Sequence, residues 1–415
     1  VARSTTFKLN ITVVNPGSGN KYYIDGILQT YITLFPGCTY EWNQDDSTNG
    51  GHPLRFSETP DGTHNSGSEY TTGVTTSGTP GSATAFTKIE VTTSTPYRLY
   101  YYCTQHSGMG NEVTAQQTSG NTRAYYAGAY PSYSNQIGMT DMASSGNFFD
   151  FGDISASKYA VGGFGNTIKG CLFGGSPDGG STLSNVIDQF FPLSSAQVSD
   201  FGDLTQGANY PVGISNDTRG VRCGGYVSPG TYTNVMDYVT IASSSNATDF
   251  GDMSAGKNNI ACYGSTTRGV INGGYASPAV INVIEYITIL STGNTTDFGD
   301  LSSVRSGFAG ASSSTRGVVA GGASPSVVNT MEYVTIASTG NATDFGDLTS
   351  ARGNIKCSAS NKTLAIFGGG RTPSDVSTTD RINIASTGNG TTYGDILTAG
   401  GYNQSSSSTG HGGLA

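Results

Sequence analysis

The tetrapeptide Asp-Phe-Gly-Asp recurs along this chain at a nearly fixed interval, and no other feature constrains the fold as tightly. It stands in "FDFGDI" from Phe149, "SDFGDL" from Ser199, "TDFGDM" from Thr248, "TDFGDL" from Thr296 and "NATDFGDL" from Asn341, with a worn copy, "TTYGDI", from Thr391. The aromatic residues Phe151, Phe201, Phe250, Phe298, Phe345 and Tyr393 are 50, 49, 48, 47 and 48 residues apart. Such a period marks an array of supersecondary units, each burying its apolar face against its neighbours. A kinase reading of Asp-Phe-Gly fails. The magnesium-binding Asp is needed once, and no Gly-rich phosphate loop, strand Lys or catalytic loop accompanies it.

Within residues 124–415 each unit carries a stretch like "SSSTRGVVAGG", a polar loop, a run like "NVIEYITI" and then "STGNTTDFGDL". Paired glycines fall at Gly174, Gly224, Gly273, Gly321 and Gly368, with a degraded copy around Gly128. Eleven residues before the pairs stand only small residues: Gly163, Gly213, Cys262, Gly310 and Cys357. Four residues before them stand Gly170, Gly220, Gly269 and Gly317, with Leu364 as the exception. "MDYVTI", "IEYITI" and "MEYVTI" are β-branched and aromatic, as strands prefer, and "STGN" supplies turns. About 48 residues suit a four-stranded blade whose innermost strand has little room for side chains.

Gly-Gly, a loop, Asn-x-x-Glu-Tyr and a later aromatic resemble the Kelch repeat, with Phe where that family has Trp. Arg305 and Arg352 fit the family pattern, and Lys158 and Lys257 replace them elsewhere. The resemblance implies a six-bladed β-propeller. Residue 124 enters at a Gly-Gly-type strand, and the tail "ILTAGGYNQSSSSTGHGG" stops where the missing early strand ends. Residues 396–411 are therefore expected to complete the blade of residues 124–150 and so hide the sheet edges. Phe201, Phe250, Phe298 and Phe345 are expected between blades. Asp153, Asp203, Asp252, Asp300, Asp347 and Asp395 recur at equivalent turns, where Asp hydrogen bonding is the expectation and calcium binding the alternative.

Residues 1–112 do not repeat. "FKLNITVV", "YYIDGILQTYITLF", "TYEWNQ", "HPLRFS", "AFTKIEVTT" and "YRLYYYC" read as strands of a small sandwich. The domain ends in "YYYCTQHSGMG", where Cys103, His106 and Met109 are spaced C-x2-H-x2-M, and His52 of "NGGHPLRF" offers a second imidazole. A thiolate, two imidazoles and a thioether are the donor set of a blue-copper site. The alternative is a Cys38–Cys103 disulfide with ordinary turn histidines. His64, in "DGTHNSG", is expected to be solvated. The stretch resembles the cupredoxin family, which implies copper held by His52, Cys103, His106 and Met109. The fold class expected is all-β: a cupredoxin-like Greek-key sandwich (1–112), a polar linker (113–123) and a six-bladed Kelch-like propeller (124–415).

A net charge of −9 leaves no basic face for nucleic acid or anionic membrane. No run of about 18 apolar residues exists to span a membrane. The opening "VARSTTFKLN" has no apolar core of a secretory signal. The string from "YYIDGILQTYITLF" through "GTHNSGSEYTTGV", followed by "YYYCTQHSGMGN", resembles a domain of virion structural proteins of marine tailed phages, notably cyanophages. "NATDFGDL" turns in Gly-Ser-Thr-rich repeats resemble phage appendage proteins. The resemblance implies a non-enzymatic virion protein of the tail, fibre or capsid surface. Its partners would be other virion proteins and a host-surface glycan or protein, and it would be oligomeric in the particle. The alternative is a secreted blue-copper electron-transfer or copper-binding protein docking through its propeller. A galactose-oxidase-type radical site is disfavoured, since residues 124–415 hold one histidine, His411.

Overall fold

The computed structural model describes residues 6–30, 32–34, 38–92, 94–96, 98–115, 122–128, 133–143, 146–192, 198–228, 231–355, 357–397 and 405–414. Among them the chain is all-β, with two short 3-10 turns and no α-helix. It divides into two compact units, Val1–Ser119 and Gly120–Ala415.

The first unit has two sheets. One runs in the order Ile27–Leu28, Lys21–Ile24, Thr6–Val14, Thr39–Asn43, Phe86–Glu90, Val74–Ser77. The other runs Ile32–Leu34, Asn111–Ala115, Arg98–Cys103, Leu54–Ser57, Glu69–Tyr70. Two pairings are parallel, Thr6–Val14 with Thr39–Asn43 and Ile32–Leu34 with Asn111–Ala115. Parallel neighbours need crossover connections, so consecutive strands switch between the sheets. The inner faces meet through Trp42 on Phe56, ring centres 4.8 Å apart and edge-on, and Tyr22 near Tyr101 at 6.3 Å. Asn111–Ala115 corrects the expected linker. "NEVTA" looks polar because only Val113 and Ala115 face inward, yet it is a strand paired on both sides. The rest of the expected linker, to residue 121, lies outside the described residues.

In the second unit, four four-stranded antiparallel sheets follow a seven-stranded one. The larger sheet is two four-stranded groups sharing the continuous strand Phe149–Gly165. Its outermost strand is Ser405–Ser408, antiparallel to Arg123–Ala127 with Ala124 opposite Ser408. Part of the expected tail pairing is therefore present, and residues 398–404 lie outside the described set. The first strands of successive groups touch in cyclic order: Phe149–Gly165, Val212–Ser215, Ala261–Gly264, Ala309–Ser312, Cys357–Ser360, Ser405–Ser408 and back to the first. Serine hydroxyls link them. Ser215 Oγ accepts from Gly165 N at 3.2 Å, Ser312 Oγ from Gly264 N at 3.3 Å, and Ser360 Oγ from Ser312 N at 3.2 Å, while Ser408 Oγ donates to Ser360 O at 2.8 Å. A cavity of about 110 Å³ lies among these strands, and His411 reaches Gly165 O at 2.8 Å and Ser215 Oγ at 3.1 Å on its lining.

The repeated motif proves to be a joint between sheets. Phe201, Phe250, Phe298, Phe345 and Tyr393 are all buried, each in a cluster drawn from its own sheet and the next. Phe151 is half-buried. The Asn of the turn before the next copy of the motif around the array accepts the backbone N–H of the motif's last Asp: Asn246 from Asp203, Asn294 from Asp252, Asn341 from Asp300, Asn389 from Asp347, and Asn147 from Asp395, at 2.9–3.0 Å. Backbone bonds such as Gly340 N to Phe298 O at 2.7 Å run beside them. The outer edge of each sheet is thus occupied by the next, which removes an open template for aggregation.

Three further devices repeat. The guanidinium groups of Arg219, Arg268 and Arg316 stack on Tyr238, Tyr286 and Tyr333 and donate to Ile289 O, Ile336 O and Ile384 O of the next sheet. The paired glycines take positive φ, and the second one's N–H bonds the carbonyl of the next unit's cation, as Gly225 to Lys257 O and Gly322 to Arg352 O, both at 3.0 Å. A Cβ on Gly224 would sit 2.6 Å from Lys257 O, so the close approach as well as the torsion demands glycine. Each cation pairs with a buried acid: Lys158 with Asp188, Lys257 with Glu285, Arg305 with Glu332, Arg352 with Asp380.

Two features of the repeat differ from the sequence reading. The triple glycine 368–370 admits two registers, and the positive φ values select Gly369 and Gly370. Ser358 and Ala365 then fill the small positions in place of Cys357 and Leu364, and the exception at Leu364 disappears. The repeat containing Val212–Ser215 lacks the loop cation, carrying Ala208 there. Its acid, Asp237, pairs at 2.8 Å with Arg222, which stands directly across the sheet from it. Arg222 donates to Gly224 O and Val235 O, as Arg305 does to Gly321 O and Thr330 O. One guanidinium position is reached from two different points on the backbone.

A chain ending at Leu397 is expected to aggregate through the uncovered edge of Arg123–Ala127. Size-exclusion chromatography with light scattering measures this. A monodisperse truncation with unchanged melting would show that the tail does not seal the sheet.

Candidate metal centre

Arg98–Cys103 lies antiparallel to Leu54–Ser57 with Cys103 opposite Leu54. Cys103 is therefore at the end of the sheet from which the chain approaches through His52, two residues before Leu54. Cys103 Sγ is 3.8 Å from His52 Nδ1 and 3.7 Å from His106 Nδ1, and the imidazole centres are 4.6 Å apart. The three residues are close enough to hold one metal ion, and among the described residues they are the one such group of His, Cys, Asp and Glu. The donor atoms all lie within 4.8 Å of one another, so one ion between them can reach all three at ordinary metal–imidazole and metal–thiolate bond lengths. The residues present fit the ion.

The ligands are held from several directions. His52 O accepts Tyr22 Oη–H and Gln44 Nε2–H, both at 2.8 Å, and His52 N donates to Asn49 O at 2.9 Å. His52 Nε2 faces the Asn20 amide at 3.3 Å, which leaves Nδ1 toward the sulfur. Thr104 N donates to Pro53 O at 3.1 Å, and Gly108 N to Asp61 Oδ1 at 2.8 Å. Lys21 Nζ and Gln29 Nε2 bond the carbonyls of Gly108 and Gly110, at 2.5 and 2.7 Å. His64 is exposed, but its ring is not merely solvated: Nε2 lies 2.9 Å from Cys103 O.

Met109 is buried at the far end of the loop, and Tyr22 N donates to its carbonyl at 3.0 Å. His52 and Cys103 are buried and His106 is exposed. Burial, followed by the neighbouring His106, holds the His52 imidazole below its ordinary pKa, which favours the neutral, ligating form. Burial also raises the Tyr22 phenol well above its ordinary value, with Cys103 adding to it, so Tyr22 stays a neutral hydrogen-bond donor beside the sulfur.

The disulfide alternative does not occur: all six cysteines are free. Cys38 stands six residues along an extended segment from Gln44, the residue that holds His52, which is roughly 20 Å at the rise of a strand. The repeated carboxylates Asp153, Asp203, Asp252, Asp300, Asp347 and Asp395 sit one per repeat, and no three acidic residues gather among the described residues.

Sequence reasoning named the three residues that converge, His52, Cys103 and His106, but missed Asn20, Tyr22, Gln44 and Asp61. Their alternation and turn chemistry look ordinary, and only the pairing of distant strands brings them to the site. Scanned against models of known protein families and against characterised proteins, the chain matches none.

Proposed function

We propose that this is a non-enzymatic virion surface protein with a cupredoxin-like copper module and a six-bladed Kelch-like propeller that displays loops for attachment. The observation that carries the copper reading is the convergence of His52 Nδ1, Cys103 Sγ and His106 Nδ1 at one end of a two-sheet sandwich. Imidazole and thiolate without carboxylate select copper or zinc. Met109 is the thioether of the set. Bound copper would supply one-electron redox chemistry. The chain's own part is to keep His52 neutral, fix the loop through Tyr22, Gln44 and Asp61, and leave the edge of His106 open to solvent. The cyclic order of the inner strands and the sealed outer edges support the propeller reading. Virion location rests on the likeness to phage structural proteins.

The exposure of His106 favours a second reading, a copper protein exchanging electrons with a docked partner. Titration of the full chain with Cu(II) is expected to saturate at one ion per chain, and mass spectrometry of purified particles is expected to return peptides from both units. Failure to bind copper overturns the metal reading. Absence from the particles overturns the location and leaves the electron-transfer reading standing.

A further inference from the structure

An internal repeat separates scaffold from function: residues recurring in every unit hold the sheets together, and residues that break the repeat on one face do something else. Tyrosines break it where the paired glycines end. The residue after the pair is Tyr226 and Tyr275 in two neighbouring units, but Ala323 and Arg371 in the next two. Tyr232 stands where the others have Leu183, Val327 and Asp375, positions matched by the bond from the following N–H to the second glycine's carbonyl. The rings adjoin, Tyr226 to Tyr232 at 5.9 Å and Tyr232 to Tyr275 at 5.4 Å, and all three are half-buried.

A second observation is independent of the first. Tyr210 has φ of +57°, at a backbone position where other repeats place Ala160, Asn259, Gly307 and Asn354, all with φ between +54° and +67°. Gly and Asn tolerate the left-handed region, whereas an aromatic there is strained. Its ring adjoins Tyr159 at 6.0 Å. Between these groups lie Asn209 and Asn258, whose amide oxygens are buried without a hydrogen-bond partner. Asn209 exchanges backbone bonds with Tyr226, and Asn258 with Tyr275.

We infer that Tyr210, Tyr226, Tyr232 and Tyr275, with Asn209 and Asn258, form a binding face for a neutral oligosaccharide. Half-exposed phenol rings offer flat apolar surfaces with polar tips for the C–H faces of sugar rings. The two amide oxygens accept sugar hydroxyls. None of the six residues is charged, so nothing among them favours an acidic or basic ligand. This deepens the attachment reading of the second unit and does not depend on the metal.

The test is calorimetric titration of the full chain with maltohexaose, cellohexaose, laminarihexaose, chitohexaose and mannohexaose, with a heparin hexasaccharide as the charged comparison. At least one neutral hexasaccharide is expected to bind. Tyr232→Ala and Tyr275→Ala are each expected to weaken it at least tenfold without lowering the melting temperature. Tyr210→Asn is expected to weaken binding and raise the melting temperature, which a purely structural tyrosine would not do. Binding of no neutral hexasaccharide, preference for the heparin fragment, or full affinity in the Tyr232→Ala/Tyr275→Ala double variant overturns the proposal. Oligosaccharide binding by a chain absent from purified particles would overturn the virion reading alone.

Discussion

Phe298→Ala is expected to lower the free energy of unfolding by about 3–5 kcal/mol, the cost of a large-to-small aromatic change in a packed core. Phe298 is 2% exposed and lies edge-on to Tyr286 at 6.0 Å. Its cluster joins Ile284 and Leu301 of its own unit to Val334 and Ile336 of the next. The cavity opens between two sheets held by side chains from both, so neither can collapse alone to fill it. Phe151→Ala is the comparison, because the half-buried first copy has less to lose. Denaturant titration of both variants measures the difference. A Phe298→Ala loss below about 1 kcal/mol, within the range of ordinary surface changes, would mean that the motif does not bind the sheets together.

Cys103→Ser is expected to abolish the intense visible absorption that Cu(II) gives with a thiolate ligand, and to lower copper affinity sharply. Serine keeps the size and the hydrogen bonding, but its hydroxyl does not ionise to a soft ligand. Cys38→Ser is expected to leave the colour intact, since Cys38 lies at the other end of the strand that leads to Gln44. Absorption spectra of the copper-loaded full chain decide the matter. A wild-type chain that stays colourless with Cu(II), or a Cys103→Ser variant that keeps the colour, overturns the assignment.

The burial of the motif aromatics was legible because periodicity reports what every unit needs, and packing between sheets is such a need. The convergence of His52, Cys103 and His106 was legible because two of them sit in one short loop with distinctive chemistry. Arg222 was not: it answers the missing cation from another strand, and its guanidinium rather than its place in the repeat is what is equivalent. The register at Gly368–Gly370 could not be read from identical residues, and torsion alone distinguishes them. Asn111–Ala115 looked like a linker because a strand with a solvated outer face carries its apolar signal on only two residues. Tyr22 and Gln44 escaped notice because a hydrogen bond across strands leaves no local pattern.

The pairing of Ser405–Ser408 with Arg123–Ala127 has a consequence in time. Arg123 and Thr409 are 286 residues apart. At ribosomal rates of roughly 5–20 residues per second, the edge carrying Tyr125 and Tyr126 waits on the order of 15–60 s for its partner to be made. Until then every other joint can form but the seam cannot. Where many copies are translated close together, the waiting edge is equally open to the tail of another chain. Two molecules can then exchange these strands, each completing the other.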